Sequence, residues 1–173
     1  YMGKKLLIIG AGGHGRVVAE VAQDCGYAEI AFIDDNISKA IGKIQDLEKY
    51  KSEYEYAFVA IGNNSLRIKL LDLVKGLGYK IPVLVHSTAY VSKSCEIKEG
   101  SIIEPKAIVN TNTVIGQGCI ISVGAIVDHD VVVGKCCHIN AGSVVKAGSV
   151  IEDYYKLDAG EVFSGVKTVK VSK

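Results

Sequence analysis

His129 stands between two carboxylates, Asp128 and Asp130, in the segment GAIVDHDVVVG. An imidazole exchanges its proton near pH 7, and an adjacent carboxylate raises its basicity and fixes its tautomer. Asp130 is one candidate for that partner and Asp128 the other. A second reactive cluster surrounds the glycine-rich run Gly10-Ala11-Gly12-Gly13-His14-Gly15, with the pair Asp34–Asp35 about twenty residues further on. Glycines let a backbone approach phosphate, and the start of a helix favours negative charge there. The other polar residues with chemical potential are Gly62-Asn63-Asn64, Arg67, His86 and His138. Metal binding is not expected, because the four histidines are scattered and the five cysteines form no C-x-x-C pair.

The elements that must carry these residues fall into two halves, taken as 1–80 and 81–173. In the first, KKLLIIG reads as a buried strand leading into the glycine turn. RVVAEVAQDC reads as a helix with Val17, Val18, Val21 and Ala22 on one face. AEIAFIDD and YEYAFVAIG read as further strands, Asn64–Leu77 as a helix, and PVLVH as a short strand into the second half. Alternating strands and helices predict a parallel α/β sheet. Gly12, Gly13, His14, Asp34, Asp35, Gly62, Asn63 and Asn64 then lie at the carboxyl ends of strands, where open sheets bind ligands. The unit is about half of a Rossmann domain. It suits a mononucleotide or nucleotide-sugar better than a dinucleotide, and His14 adds a donor within reach of phosphate or sugar.

The second half repeats every six residues. Val85, Val91, Ile97, Ile103, Val109, Ile115, Ile121, Val127, Val133, Ile139, Val145, Ile151, Leu157, Phe163 and Val169 are all large and apolar. Four residues after most of them stands a small one: Ala89, Cys95, Ser101, Ala107, Thr113, Cys119, Ala125, Cys137, Ser143, Ser149. This period fits neither a helix nor an alternating strand; it predicts a parallel β-helix of about four 18-residue coils, with equivalent positions stacked roughly 4.8 Å apart. Cys95, Cys119 and Cys137 are then interior packing residues. Ile102, Ile108, Val114, Ile120, Ile126, Val132, Val144 and Val150 point outward, an apolar stripe that implies a partner surface, with His138 as its polar exception. His129 falls on an outward corner, one coil below Ala147–Gly148. A free amide there would suit an oxyanion; Ala147 as an ordinary turn residue is the other reading.

A formal charge of +1 over 173 residues excludes no small ligand but gives no reason to expect nucleic acid or an anionic membrane. With no apolar run of about 20 residues, no span is expected. An odd cysteine count and no signal-like leader suggest reduced thiols and a cytoplasmic location.

The hexads IGQGCI, VGKCCH and INAGSV resemble those of the hexapeptide acyltransferases, whose β-helix is left-handed. Joined to the half-Rossmann unit, and with GAGGHG, FIDD, AIGNN followed by Arg67, and GAIVDHDVVVGKCCHINAG, the whole chain is similar to the sugar O/N-acetyltransferases. These include the sialic acid O-acetyltransferases and the bacillosamine N-acetyltransferases. The resemblance implies a homotrimer that moves acetyl from acetyl-CoA to a nucleotide-linked sugar, most simply a UDP-amino sugar. It implies that His129 is the general base, oriented by Asp130. It also implies that His138 lies near the acetyl-CoA thioester at a subunit boundary, and that Gly12, Gly13, His14, Asp34, Asp35, Gly62, Asn63 and Arg67 hold the nucleotide-sugar. His138, Ala147 and Gly148 are the expected acetyl-CoA contacts. Two departures stand out: Ser122 replaces an asparagine of some relatives, and the tail beyond Ile151 is short. Other readings are an O-acetyltransferase of sialic acid, a trimeric nucleotide-sugar-binding scaffold without turnover, and an NAD-dependent oxidoreductase. The last lacks the second half-domain it would need.

Overall fold

The computed structural model describes residues 3–165, so Val169, the last residue of the six-residue track, lies outside the described residues. The N-terminal unit is a three-stranded parallel sheet in which β1 (Lys4–Ile9) lies between β2 (Tyr27–Ile33) and β3 (Tyr56–Val59). Leu6, Leu7, Ile8 and Ile9 are all buried because helices cover both faces. Leu6 and Ile8 meet Val18, Val21 and Ala22 of α1 (Gly13–Asp24). After the short α2 (Leu47–Tyr50) comes α3 (Asn64–Gly76), whose Leu70, Leu71 and Val74 meet Leu7 and Ile9 on the other face. Val17, expected on the buried face of α1, is instead 37% exposed, since the helix turns Gly15, Val18, Val21 and Ala22 inward.

From residue 84 to residue 163 the chain is a three-sided prism of two-residue strands, β4 (Leu84–Val85) to β17 (Val162–Phe163), six residues apart. Each pairs in parallel with the strand 18 residues away, as in Ile102↔Ile120↔His138. The first face holds β4, β7 (Ile102–Ile103), β10 (Ile120–Ile121), β13 (His138–Ile139) and β16 (Lys156–Leu157). The second holds β5 (Tyr90–Val91), β8 (Ile108–Val109), β11 (Ile126–Val127), β14 (Val144–Val145) and β17, and the third β6 (Glu96–Ile97), β9 (Val114–Ile115), β12 (Val132–Val133) and β15 (Val150–Ile151). The large track from Ile103 to Leu157 and the small track between are buried along the axis. Cys119 and Cys137 sit inside, donating to the carbonyls of Gly134 and Glu152 at 3.0 Å, so they complete the interior as packing residues do. A further six-residue signal appears in the backbone. Gly100, Lys106, Asn112, Gly118, Gly124, Asp130, Cys136, Gly142, Gly148, Tyr154 and Gly160 all have positive φ, one per corner turn from Gly100 on.

The N-terminal unit packs on the prism. Leu84, Ile102 and Ile120, which point outward from the first face, are buried against Val18, Val21 and Ala22 of α1. Beside them α3 sits on the edge between the third and first faces. A Cβ at Gly100 or Gly118 would lie 2.8 or 2.5 Å from the methyls of Leu71, so both the left-handed backbone and the close approach require glycine. Of the outward apolar residues expected to meet a partner, Ile102 and Ile120 are therefore covered by the same chain. Ile126 and Val132, on the second and third faces, remain 37% and 45% exposed.

Candidate active site

His129 lies in the corner turn between the second and third faces, the edge opposite the first face. Its Nδ1 is 2.7 Å from Oδ2 of Asp130, and its backbone N–H donates to Oδ1 of Asp128 at 2.8 Å. The hydrogen bond to Asp130, then burial in the opposite sense and the nearby charge of Asp128, hold the imidazole above its usual pKa. Asp130 accepts on its other oxygen from Asn112 Nδ2 at 2.7 Å, and Asp128 from Asn110 Nδ2 at 3.0 Å. In the tautomer that offers Nδ1–H to Asp130, the lone pair sits on Nε2. One coil above, the Gly148 N–H donates to the carbonyl of His129 at 3.0 Å. That amide closes the coil and is not free for an oxyanion; the Ala147 N–H has no acceptor among the described residues.

The glycine turn leaves its backbone open. Gly15 cannot carry a Cβ, which would fall 2.1 Å from the carbonyl of Gly10, whereas Gly12 has open space around it and Gly13 meets only one side-chain atom, 3.9 Å away. Gly12 caps α1 without a side chain, so the first amides of the helix face outward. Asp34 accepts from Ala11 N–H at 2.9 Å and from Asn36 and Ile37. These bonds, the one from Ala11 first, hold its carboxyl below the usual range. Asp34 thus pins the loop to the end of β2. Asp35 similarly accepts from Ile44 N–H at 2.9 Å. Between them runs a small cleft at the carboxyl ends of the strands, walled by Gly10, Ile44, Ile61 and Leu66.

Asn63 and Arg67 occupy different roles from those expected. Asn63 caps α3 through the Leu66 N–H at 2.9 Å. Arg67 is 1% exposed, and its guanidinium donates to the carbonyls of Gly118, Ile61, Cys136 and Cys137 and to Asn64 Oδ1. Asn64 in turn donates to Tyr154 O at 2.8 Å. Arg67 lies one helical turn before Leu71, on the face of α3 that meets the prism, so it is sealed in the domain junction. The AIGNN-Arg67 motif is a clasp, and Arg67 has no donor left for a nucleotide-sugar.

Near this clasp, at the junction, lie two of the other three histidines, His14 and His138. His14 Nδ1 is 3.6 Å from Oε1 of the buried Glu104, whose other oxygen accepts from Val123 N–H at 2.9 Å. His138 Nε2 is 3.0 Å from Ser122 Oγ. Burial first, then the charges around them with Arg67 in both cases, pushes each imidazole down to about 4, so both are neutral at pH 7. His14 Nε2 and His138 Nδ1 are buried without a partner in the described structure. His138 thus stands on the face that the chain covers itself, half-buried beside Ser122, and not on the exposed stripe.

Two clusters result. His129, Asp130 and Ala147 share the far edge of the prism; Gly12, Gly13, His14, Asp34, Asp35 and Gly62 line the sheet edge of the N-terminal unit, with His138 near its junction. A single chain does not bring them together. Glu104, Asn110 and Asn112 escape a linear reading; only the 18-residue coil period, which sets Asn110 under Asp128 and Asn112 under Asp130, points to the last two.

A phosphate-type glycine loop on an α/β unit, docked on a left-handed parallel β-helix with a carboxylate-paired histidine at its edge, defines a hexapeptide-repeat acyltransferase. The chain belongs to the sugar acetyltransferases of that class. Residues 5–74 match the family described as the PglD N-terminal domain. The acetyltransferase domain of PglB from Neisseria gonorrhoeae, solved with acetyl coenzyme A, is 36% identical over 94% of this chain and 82% of that one, with a TM-score of 0.88. Perosamine N-acetyltransferase from Caulobacter crescentus, solved with CoA and GDP-perosamine, is 27% identical over 96% of this chain and 90% of that one, with a TM-score of 0.84. The UDP-N-acetylbacillosamine N-acetyltransferase of Bacillus subtilis is 32% identical over 112 residues, 58% of this chain; the match spans about half, 51%, of that relative.

Proposed function

We propose that this protein transfers an acetyl group from acetyl-CoA to the amino group of a nucleotide-linked sugar, a UDP-amino sugar by preference. The observation that carries the reading is the His129–Asp130 pair with Nε2 left free. The relatives support the donor and the acceptor class: one binds acetyl coenzyme A, another CoA and GDP-perosamine, and a third is named for a UDP-sugar. In the reaction the sugar amine attacks the thioester carbonyl while His129 Nε2 takes its proton. Asp130 holds Nδ1–H and stabilises the imidazolium that forms. The tetrahedral oxyanion is met by the Ala147 N–H. As the C–S bond breaks, the thiolate of CoA leaves and recovers the proton from His129, so no covalent enzyme intermediate is needed.

The site is read as shared between copies in a homotrimer. His129 sits on the edge bounded by the two faces the chain leaves uncovered, with Ile126 and Val132 on either side of it. Burying those faces against neighbours brings a second chain's glycine loop toward the base. Gly12, Gly13, His14, Asp35 and Gly62 are then the nucleotide-sugar contacts, and His138 and Ala147 border acetyl-CoA. No helix among the described residues is long and apolar enough to cross a membrane, in keeping with work in the cytoplasm, where acetyl-CoA is at hand.

Free-thiol release from acetyl-CoA, measured against UDP-amino sugars and CMP-sialic acid, tests the reading. Release is expected with an amino sugar and is expected to fall about a hundredfold or more in His129→Ala, as for loss of a general base. Release with sialic acid alone would move the acceptor to a hydroxyl. Nucleotide-sugar binding with no release from any acceptor would favour a non-catalytic scaffold.

A further inference from the structure

Below the base the prism carries two columns of polar side chains, each running from coil to coil at intervals of 18 residues. In one, Ser94 Oγ accepts from the Asn112 backbone N–H at 2.9 Å, and Asn112 Nδ2 donates to Asp130 Oδ1 at 2.7 Å. In the other, Asn110 Nδ2 donates to Asp128 Oδ1 at 3.0 Å. The two columns end on the two acids that flank His129. They act on different parts of it: Asp128 holds the backbone N–H, and Asp130 holds the ring.

We propose that Asn112 is a positioning residue for the base: its carboxamide, one coil below, turns the Asp130 carboxylate so that Oδ2 stays presented to His129 Nδ1. The proposal rests on the reading of His129 as the base. Three features carry it. Asp130 and His129 are both more than half exposed, so packing does not fix the carboxylate, and a terminal carboxylate torsion is broad. Each Asp130 oxygen has one partner, Asn112 on Oδ1 and His129 on Oδ2, which sets the plane of the group. Asn112 and Asp130 share the left-handed corner conformation, with φ of 59° and 57°, so their side chains leave the prism in the same direction.

The choice of an amide also has an electrostatic reason. Stacked positions lie about 4.8 Å apart, and a carboxylate at 112 would set a like charge beneath Asp130. An asparagine donates without adding charge, leaving the negative charge of Asp130 to the imidazolium. The charged groups facing His129 are then Asp128 and Asp130 from its own turn. Lys146 lies at the register position above Asp128, and the turn below contributes only the neutral Asn110, Thr111 and Asn112.

Asn112→Gly removes the amide while keeping a residue that adopts the left-handed corner without strain. The titration of His129 is read by NMR on the whole protein, which needs no turnover, and kcat and KM are measured alongside. The variant is expected to bring the His129 pKa down toward that of an ordinary histidine and to lower kcat several-fold, with KM for acetyl-CoA unchanged. Because the effect runs through Asp130, Asn112→Gly is expected to cost nothing further in an Asp130→Asn background. An unchanged His129 titration, or the same fold-loss in both backgrounds, would overturn the proposal. If no acceptor is turned over at all, the NMR titration still decides the role of Asn112, separately from the proposed reaction.

Discussion

At neutral pH His129 on the one hand and His14 and His138 on the other sit in opposite regimes. His129 is held above its usual pKa, first by Asp130, while burial pushes His14 and His138 down to about 4. A histidine that is neutral when folded but takes a proton when unfolded costs stability as pH falls. The loss starts near 6.5, the unfolded value, and is complete at about 4, with a ceiling of about 3 kcal/mol for each group. Thermal unfolding at pH 7 and pH 4.5 should therefore show a marked fall for the wild type and a smaller one for His138→Gln; equal falls would mean that burial does not hold His138 neutral. Much of this chemistry is legible in the linear sequence, because Asp130 is next to His129 and the flanking hexads place them on a corner. Asn112 is not, since it lies 17 residues before His129 and joins it only through the coil period. Arg67, which the family resemblance gives to the nucleotide-sugar, has its partners hidden for a related reason: they lie far from it along the chain. Only the packing of α3 shows that main-chain carbonyls already use its donors.

The elements meet where glycine permits it. α3 lies on the prism edge with Leu71 over Gly100 and Gly118, and Arg67 ties the same edge to the loop after β3. Gly118→Val would combine a left-handed β-branched residue with a Cβ 2.5 Å from Leu71, and a loss on the order of 3 kcal/mol is expected. Gly124 has a similar φ but open space around it, so Gly124→Asn should cost well under that. Chemical denaturation of the two variants checks the difference, and equal losses would mean that the α3 contact contributes little. The six-residue track announces the prism because interior packing demands it at every rung. It does not say which face the N-terminal unit covers, since Ile102, Ile108 and Val114 are equally apolar on the three faces. That choice is made by the apolar side of α1 and by the close approach of α3.

For the molecule as a whole, the decisive fact is separation. The glycine loop belongs to the side of the prism that carries the first face, and His129 to the opposite edge between two uncovered faces. A reaction that needs both must bring a second chain to the first, which is the central claim of the proposed mechanism. The most direct measurement is complementation between two inactive variants. His129→Ala lacks the proposed base. Gly12→Leu puts a side chain in front of the helix start, where an added Cβ meets no atom within 4 Å. Each alone should release almost no thiol from acetyl-CoA with an amino-sugar acceptor. After subunits are exchanged by partial denaturation and refolding together, activity should return, because some interfaces pair an intact base with an intact loop. A mixture that forms mixed oligomers and stays inactive would contradict the account and put the whole site within one chain.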